Sequence, residues 1–360
     1  MENMVTPNMD ASSGNSPARL ETILITGNMG YVGPGVIDAL RRSNPQARII
    51  GLDTGYFAHC LTQAPALPET RLDRQVFMDM RQVGPEVFQG VDAVIHLAGI
   101  SNDPMGNRFS EPTTAINDTA SVALAQMAKN AGVRSFVFAS SCSMYGSASA
   151  DARSEQDSLN PLTAYARSKV AMEEALSRLA GPDFTATCLR FPTACGMSER
   201  LRLDLVLNDF VASAVATGTI TVLSDGSPWR PLIHVRDMAR AVSWALDRDP
   251  AMGGDFVAVN TGSDEWNYTI KDLALACADV IGGVDVEIAA DGMPDKRSYR
   301  VDFARFRELA PDHQPQVSLV AAIQDLLTGL RAMEFSTAGF RDTWFMRLKV
   351  LTSLMEQGLL

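Results

Sequence analysis

The stretch Thr22-Ile23-Leu24-Ile25-Thr26-Gly27-Asn28-Met29-Gly30-Tyr31-Val32-Gly33 decides how the rest of the chain is read. Residues 22–26 predict a short buried strand, and residues 36–42 read as a helix. Between them the glycines recur every third residue. A strand that passes through such a turn into a helix lets the backbone approach a pyrophosphate at the helix's positive end. Residues 47–53 predict a second strand ending in Asp53, about 20 residues beyond the last glycine, as a dinucleotide site requires. A carboxylate there binds the adenosine ribose hydroxyls and repels a 2′-phosphate, which favours NAD over NADP.

Asp79 follows a third strand, where an aspartate reaches the adenine. Residues 91–97 form a strongly apolar fourth strand that runs into His96-Leu97-Ala98-Gly99, whose small residues let a cofactor lie close over the sheet. His96 reads as a packed, hydrogen-bonded residue; no second histidine or carboxylate stands near it at metal spacing, so no metal is expected. A helix is expected over residues 117–131 and a fifth strand over 134–139, emptying into Ser140-Ser141-Cys142-Ser143-Met144-Tyr145-Gly146. Residues 164–179 form a helix carrying Tyr165 and Lys169, four apart and therefore on one face. A free phenol has a pKa of about 10, and a fixed cation beside it lowers that value and makes it a proton acceptor. Residues 184–191 form the sixth strand.

Alternation of strand and helix predicts a doubly wound parallel sheet, an α/β Rossmann fold. Beyond residue 191 the pattern loosens. Helices are expected over 201–216, 236–246, 268–281, 318–330 and 343–356, with strands over 219–223, 229–235, 256–260 and 284–289. This predicts a dinucleotide-binding domain over 20–191 with a returning part near 230–262. A smaller, mixed α/β substrate-binding lobe would take up 192–229 and 263–335. Residues 1–19 lack a hydrophobic period and read as a disordered leader; 336–360 form a helical extension.

At 360 residues and 46% hydrophobic content the chain can bury a large core, and its net charge of −11 argues against nucleic acid or an anionic membrane as the main partner. Five cysteines without Cys-x-x-Cys spacing suggest reduced thiols in a cytoplasm. No apolar run approaches the roughly 20 residues of a membrane-spanning helix.

These motifs in this order closely resemble the extended short-chain dehydrogenase/reductase superfamily, in its nucleotide-sugar epimerase/dehydratase branch, over roughly residues 22–301. The resemblance implies a catalytic set of Ser141, Tyr165 and Lys169, with Ser141 four residues before Tyr145. It implies that NAD is held by Gly27, Met29, Gly30, Tyr31, Gly33, Asp53, Asp79, Met80, Leu97, Ala98, Gly99 and Asn117, together with Tyr165, Lys169 and Phe191. For a nucleotide-sugar substrate it implies Ser141, Cys142, Ser143, Thr193, Arg202, Asn208, Arg230 and Arg297. A homodimer joined through the helices at 117–131 and 164–179 follows from family habit. In such enzymes the tyrosine takes a proton from a sugar hydroxyl, usually at carbon 4, while hydride leaves for the nicotinamide. Hydride return to the opposite face gives an epimerase; release of the ketone gives a dehydrogenase or reductase. A 4,6-dehydratase carries Asp-Glu after the catalytic hydroxyl, where this chain has Cys142-Ser143, and fits less well. Retention of both Tyr165 and Lys169 argues against a non-catalytic dinucleotide sensor. Thr193 stands where many relatives carry asparagine, so the substrate pocket is expected to differ from that of a UDP-galactose epimerase.

Overall fold

The structure, a computed structural model, describes residues 20–101, 103–147, 151–289 and 298–360. The expected leader and Arg297 lie outside the described residues. In chain order the strands are β1 (Thr22–Thr26), β2 (Arg48–Asp53), β3 (Arg74–Phe77), β4 (Ala93–His96), β5 (Ser135–Ser141), β6 (Thr185–Phe191), β7 (Thr193–Cys195), β8 (Thr219–Val222), β9 (Trp229–His234), β10 (Phe256–Asn260), β11 (Asn267–Thr269) and β12 (Asp285–Ile288). The α-helices are α1 (Gly33–Ser43), α2 (Asp103–Arg108), α3 (Ser110–Thr114), α4 (Ser121–Asn130), α5 (Ala164–Leu179), α6 (Val206–Thr217), α7 (Val235–Asp247), α8 (Ile270–Ile281), α9 (Ala304–Leu309), α10 (Leu319–Ala332) and α11 (Arg347–Glu356).

Seven parallel strands make one sheet in the order β10-β6-β5-β4-β1-β2-β3. Its central strands are apolar on both sides (Ile23, Leu24 and Ile25 are fully buried), because helices cover both faces. On one face α1 packs against α7; on the other lie α4 and α5. The strand order reverses between β1 and β4, and the crevice at such a reversal is where open α/β sheets bind ligands. Register brings Thr26 of β1 level with Leu52 of β2 and His96 of β4, so the loops that follow these strands open side by side. Likewise Ser141 ends β5 beside Phe191 of β6.

The looser C-terminal half builds two small sheets, β11-β9-β7 and β12-β8, with α6, α8 and α10 packed together beside them. Only β10 returns to the large sheet, along β6. Three expectations shift. The helix expected from Asn117 is a π-turn over Ala115–Ala120 that continues into α4. The helix expected over 201–216 begins at Val206, after a bend over residues 203–205. The C-terminal helix spans Arg347–Glu356 and buries Leu351 against the subunit's own core. Among the described residues no helix is long and apolar enough to cross a membrane.

Candidate active site

The sheet's crevice opens into a cavity of about 1100 Å³, above the common range of about 300–1,000 Å³ for small-molecule sites. One end is the glycine turn. Gly27 has φ +72°, and a Cβ there would stand 2.5 Å from the backbone nitrogen of Ala98. A side chain would therefore push the turn off the end of β4. Gly30, Tyr31 and Gly33 follow on the cavity wall. The N-terminus of α1 receives no hydrogen bond from a side-chain cap, so its first amides and dipole remain open to an anion. Asp53 closes this end. One carboxylate oxygen accepts from the Met29 amide (3.0 Å) and the other from the Gly55 amide (2.8 Å). Burial raises its pKa, and those two amides oppose the rise. This donor set fits a dinucleotide: open amides for its diphosphate, and a fixed carboxylate for a ribose diol.

Further along, Asp79 and Met80 line the wall beside Leu97, Ala98 and Gly99. Burial works to raise the Asp79 carboxyl, yet the Arg81 fork holds it below its usual value. His96 is not at the cavity. Its ring bridges the Thr26 (2.7 Å) and Ser121 (3.0 Å) hydroxyls, and burial lowers its pKa to about 3.

At the other end Ser141, Tyr165 and Lys169 meet. Thr163 caps α5 by accepting from the Ala166 amide at 3.0 Å, which fixes the first turn that carries Tyr165. The Ser141 hydroxyl lies within hydrogen-bonding reach of the Tyr165 phenol and draws its pKa down, but burial wins and leaves it at about 12. Lys169 donates to the Ala139 carbonyl at 2.6 Å, with its ammonium 4.5 Å from the Phe138 ring centre and 5.5 Å from that of Tyr165. Burial lowers its pKa to about 8, against the pull of Glu173. Burial is thus the largest influence on the phenol, and the cation whose charge opposes it is Arg202 rather than the Lys169 that the Tyr/Lys spacing suggests.

Several expected contacts lie off the cavity. Met29 reaches Asp53 through its backbone only. Asn117 spends its side chain on the Ile100 amide and carbonyl, both at 2.8 Å, and so braces the loop after β4. Cys142 is buried with its thiol on the Arg190 carbonyl at 3.0 Å, and burial pushes its pKa far up. Asn208 joins Gly196, the Tyr31 hydroxyl and the Arg202 carbonyl at 2.8–3.0 Å. These residues hold the walls in place. Phe191, Ser143, Thr193, Arg202 and Arg230 do line the cavity. Arg202 forks onto Asp204 and donates to Ser101 at 2.7 Å.

Three features escaped the sequence reading. Asp103 lines the cavity, accepts from Thr163 at 2.6 Å and raises the Tyr165 pKa. Gly106 lets α2 pack on α5, since a Cβ there would come within 2.8 Å of the Tyr165 Cβ. Beneath the site, Glu173 accepts from Ser140 (2.5 Å) and from a buried Arg190 fork (2.7–3.1 Å). Arg190 also donates to the Tyr145 hydroxyl, which stands 2.7 Å from Asn260. Glu173 follows Lys169 by four residues, one turn along the same face, and that spacing was the available signal.

The chain resembles known proteins over most of its length. It is 27% identical over 266 residues to an uncharacterized UDP-glucose epimerase, YtcB, of Bacillus subtilis, covering 70% of this chain and 80% of that protein. It is 28% identical over 312 residues to a UDP-glucose 4-epimerase of Mycolicibacterium smegmatis, covering 83% and 95% respectively. A UDP-glucose 4-epimerase from Stenotrophomonas maltophila, solved with bound NAD and formylated UDP-arabinopyranose, shares the fold with a TM-score of 0.73 at 23% identity, over 88% of this chain and 99% of that one. The model of the NAD dependent epimerase/dehydratase family matches residues 23–259, and with the glycine turn, Asp53 and the Tyr165/Lys169 pair in place, the chain belongs to that family of enzymes.

Proposed function

We propose that the protein is a nucleotide-sugar epimerase that oxidises its substrate transiently at carbon 4 and reduces it again on the opposite face. The observation that carries this reading is the convergence of Ser141, Tyr165 and Lys169 on the same cavity as the uncapped glycine turn and Asp53. Bound NAD supplies the acceptor and donor of hydride and a positively charged ring. Tyr165 takes the proton from the carbon-4 hydroxyl and later returns it. Ser141, within reach of that phenol, orients the same oxygen and donates to it as the ketone forms. Lys169 adds positive charge beneath the phenol while Ala139 holds it in place. Arg230, Arg202 and Thr193 on the facing wall supply the donors for a sugar-nucleotide diphosphate. Cys142 cannot serve as acid or base, being buried and pinned to Arg190, so no second proton-transfer pair follows Ser141 and elimination of water is not supported.

Tyr165→Phe tests the assignment. Loss of a positioned acid/base should lower kcat by about 10²–10⁴-fold, with NAD affinity nearly unchanged; undiminished turnover would remove Tyr165 from the mechanism. The same reading makes the protein a cytoplasmic homodimer, joined through α4, α5 and the π-turn before α4.

A further inference from the structure

The C-terminal segment, beyond the family match, supplies part of the cavity wall. Leu203 donates its amide to the Phe345 carbonyl at 3.1 Å, and the Tyr56 hydroxyl donates to the Leu359 carbonyl at 2.9 Å. The segment thus crosses from the stretch before α6 to the loop after β2. Met346, Arg347 and Leu351 line the cavity along this path.

Arg347 is 1% exposed. Its guanidinium stands 5.1 Å from the Phe57 ring centre and donates only to carbonyls: Trp344 at 2.8 Å, Arg200 at 2.9 Å and Leu201 at 3.2 Å. Its Nε has no partner. Two other arginines lie close by, but each has its own carboxylate: Arg200 holds Glu69 and Arg202 holds Asp204. Among the described residues no carboxylate is paired with Arg347. Asp204 acts on it only from a distance and is already forked by Arg202; a buried cation with no paired carboxylate is costly, and burial here lowers its pKa to about 10. The charge becomes favourable once an anion enters the cavity. The glycine turn on the same cavity presents open amides for a diphosphate, and Ser198, two residues before Arg200, donates to the Tyr31 carbonyl of that turn at 2.7 Å.

We propose that Arg347 is a cofactor-site residue: it supplies the buried positive charge that a dinucleotide diphosphate neutralises, and its segment closes the adenosine end of the cavity over that ligand. This rests on the dinucleotide reading of the cavity and assigns to it a residue outside the glycine turn.

The test uses full-length protein stripped of nucleotide, with NAD, ADP, UDP and uncharged adenosine titrated calorimetrically. Arg347→Gln keeps a donor for the carbonyls and removes the charge. NAD and ADP affinities should fall by about tenfold or more, the scale of a lost charged hydrogen bond, while adenosine changes less than about twofold; Arg347→Lys should recover part of the loss. Equal losses for adenosine and NAD would show a packing role and overturn the proposal, as would unchanged NAD binding. A loss confined to UDP would assign the charge to the other nucleotide and overturn it too. Wild-type protein that folds yet ignores both NAD and ADP would instead sink the dinucleotide reading itself.

Discussion

At the scale of single residues the site turns on how far burial opposes charge. Burial pushes Tyr165 up to about 12 and Lys169 down to about 8, moving both toward their neutral forms. Positive charge brought into the cleft favours the phenolate and must lower the tyrosine value. Difference absorbance of tyrosinate, wild type minus Tyr165→Phe, should therefore show one phenol ionising near pH 12 without nucleotide and at lower pH with NAD. Because the ionised form is the base, turnover of the oxidation half-reaction should rise with pH up to that lowered value. A titration unmoved by NAD would mean that the ligand's charge does not reach Tyr165. The Tyr/Lys spacing was legible because one helical turn is a local rule. The opposing burial was not, nor were the charges of Asp103 and Arg202, which reach Tyr165 from distant parts of the chain.

At the scale of elements, β5, β6 and α5 are tied together beneath the cavity by one buried network. Arg190 and Glu173 are both under a tenth exposed, and the guanidinium forks onto the carboxylate. Glu173→Ala leaves Arg190 buried without its carboxylate, a loss of about 3–5 kcal/mol by chemical denaturation; a change within about 0.5 kcal/mol, usual for surface sites, would show the pair to be dispensable. No local pattern reveals such a network, whose members lie on separate strands and a helix. The segment before α6 differs, because its signal was present and misread. Leu201, Leu203 and Leu205 alternate with Arg202 and Asp204, the period of extended chain. Leu201 and Leu203 are buried, as is Arg202, and of these five residues all but Leu201 line the cavity.

For the whole molecule, the doubly wound parallel sheet was readable because alternating strands and helices admit few topologies. That Arg341, Met346, Arg347 and Leu351 line the cavity was not, since apolar positions on a terminal helix do not say which surface they cover. The helices proposed to join two subunits are the ones that carry Tyr165 and brace it, so association would stiffen the site. Sedimentation at micromolar concentration should give a dimer, and a monomer alone would contradict that arrangement. The account as a whole rests on reversible oxidation at carbon 4, with Tyr165 taking the proton and the hydride kept on the bound nicotinamide. Proton NMR of UDP-sugars incubated with the enzyme and NAD in deuterated water tests this directly. The account predicts interconversion of two carbon-4 epimers with no solvent deuterium in the sugar ring and no net NADH, and neither epimer converted by Tyr165→Phe. Deuterium at carbon 3 or 5, or a ketone accumulating with NADH, would contradict it.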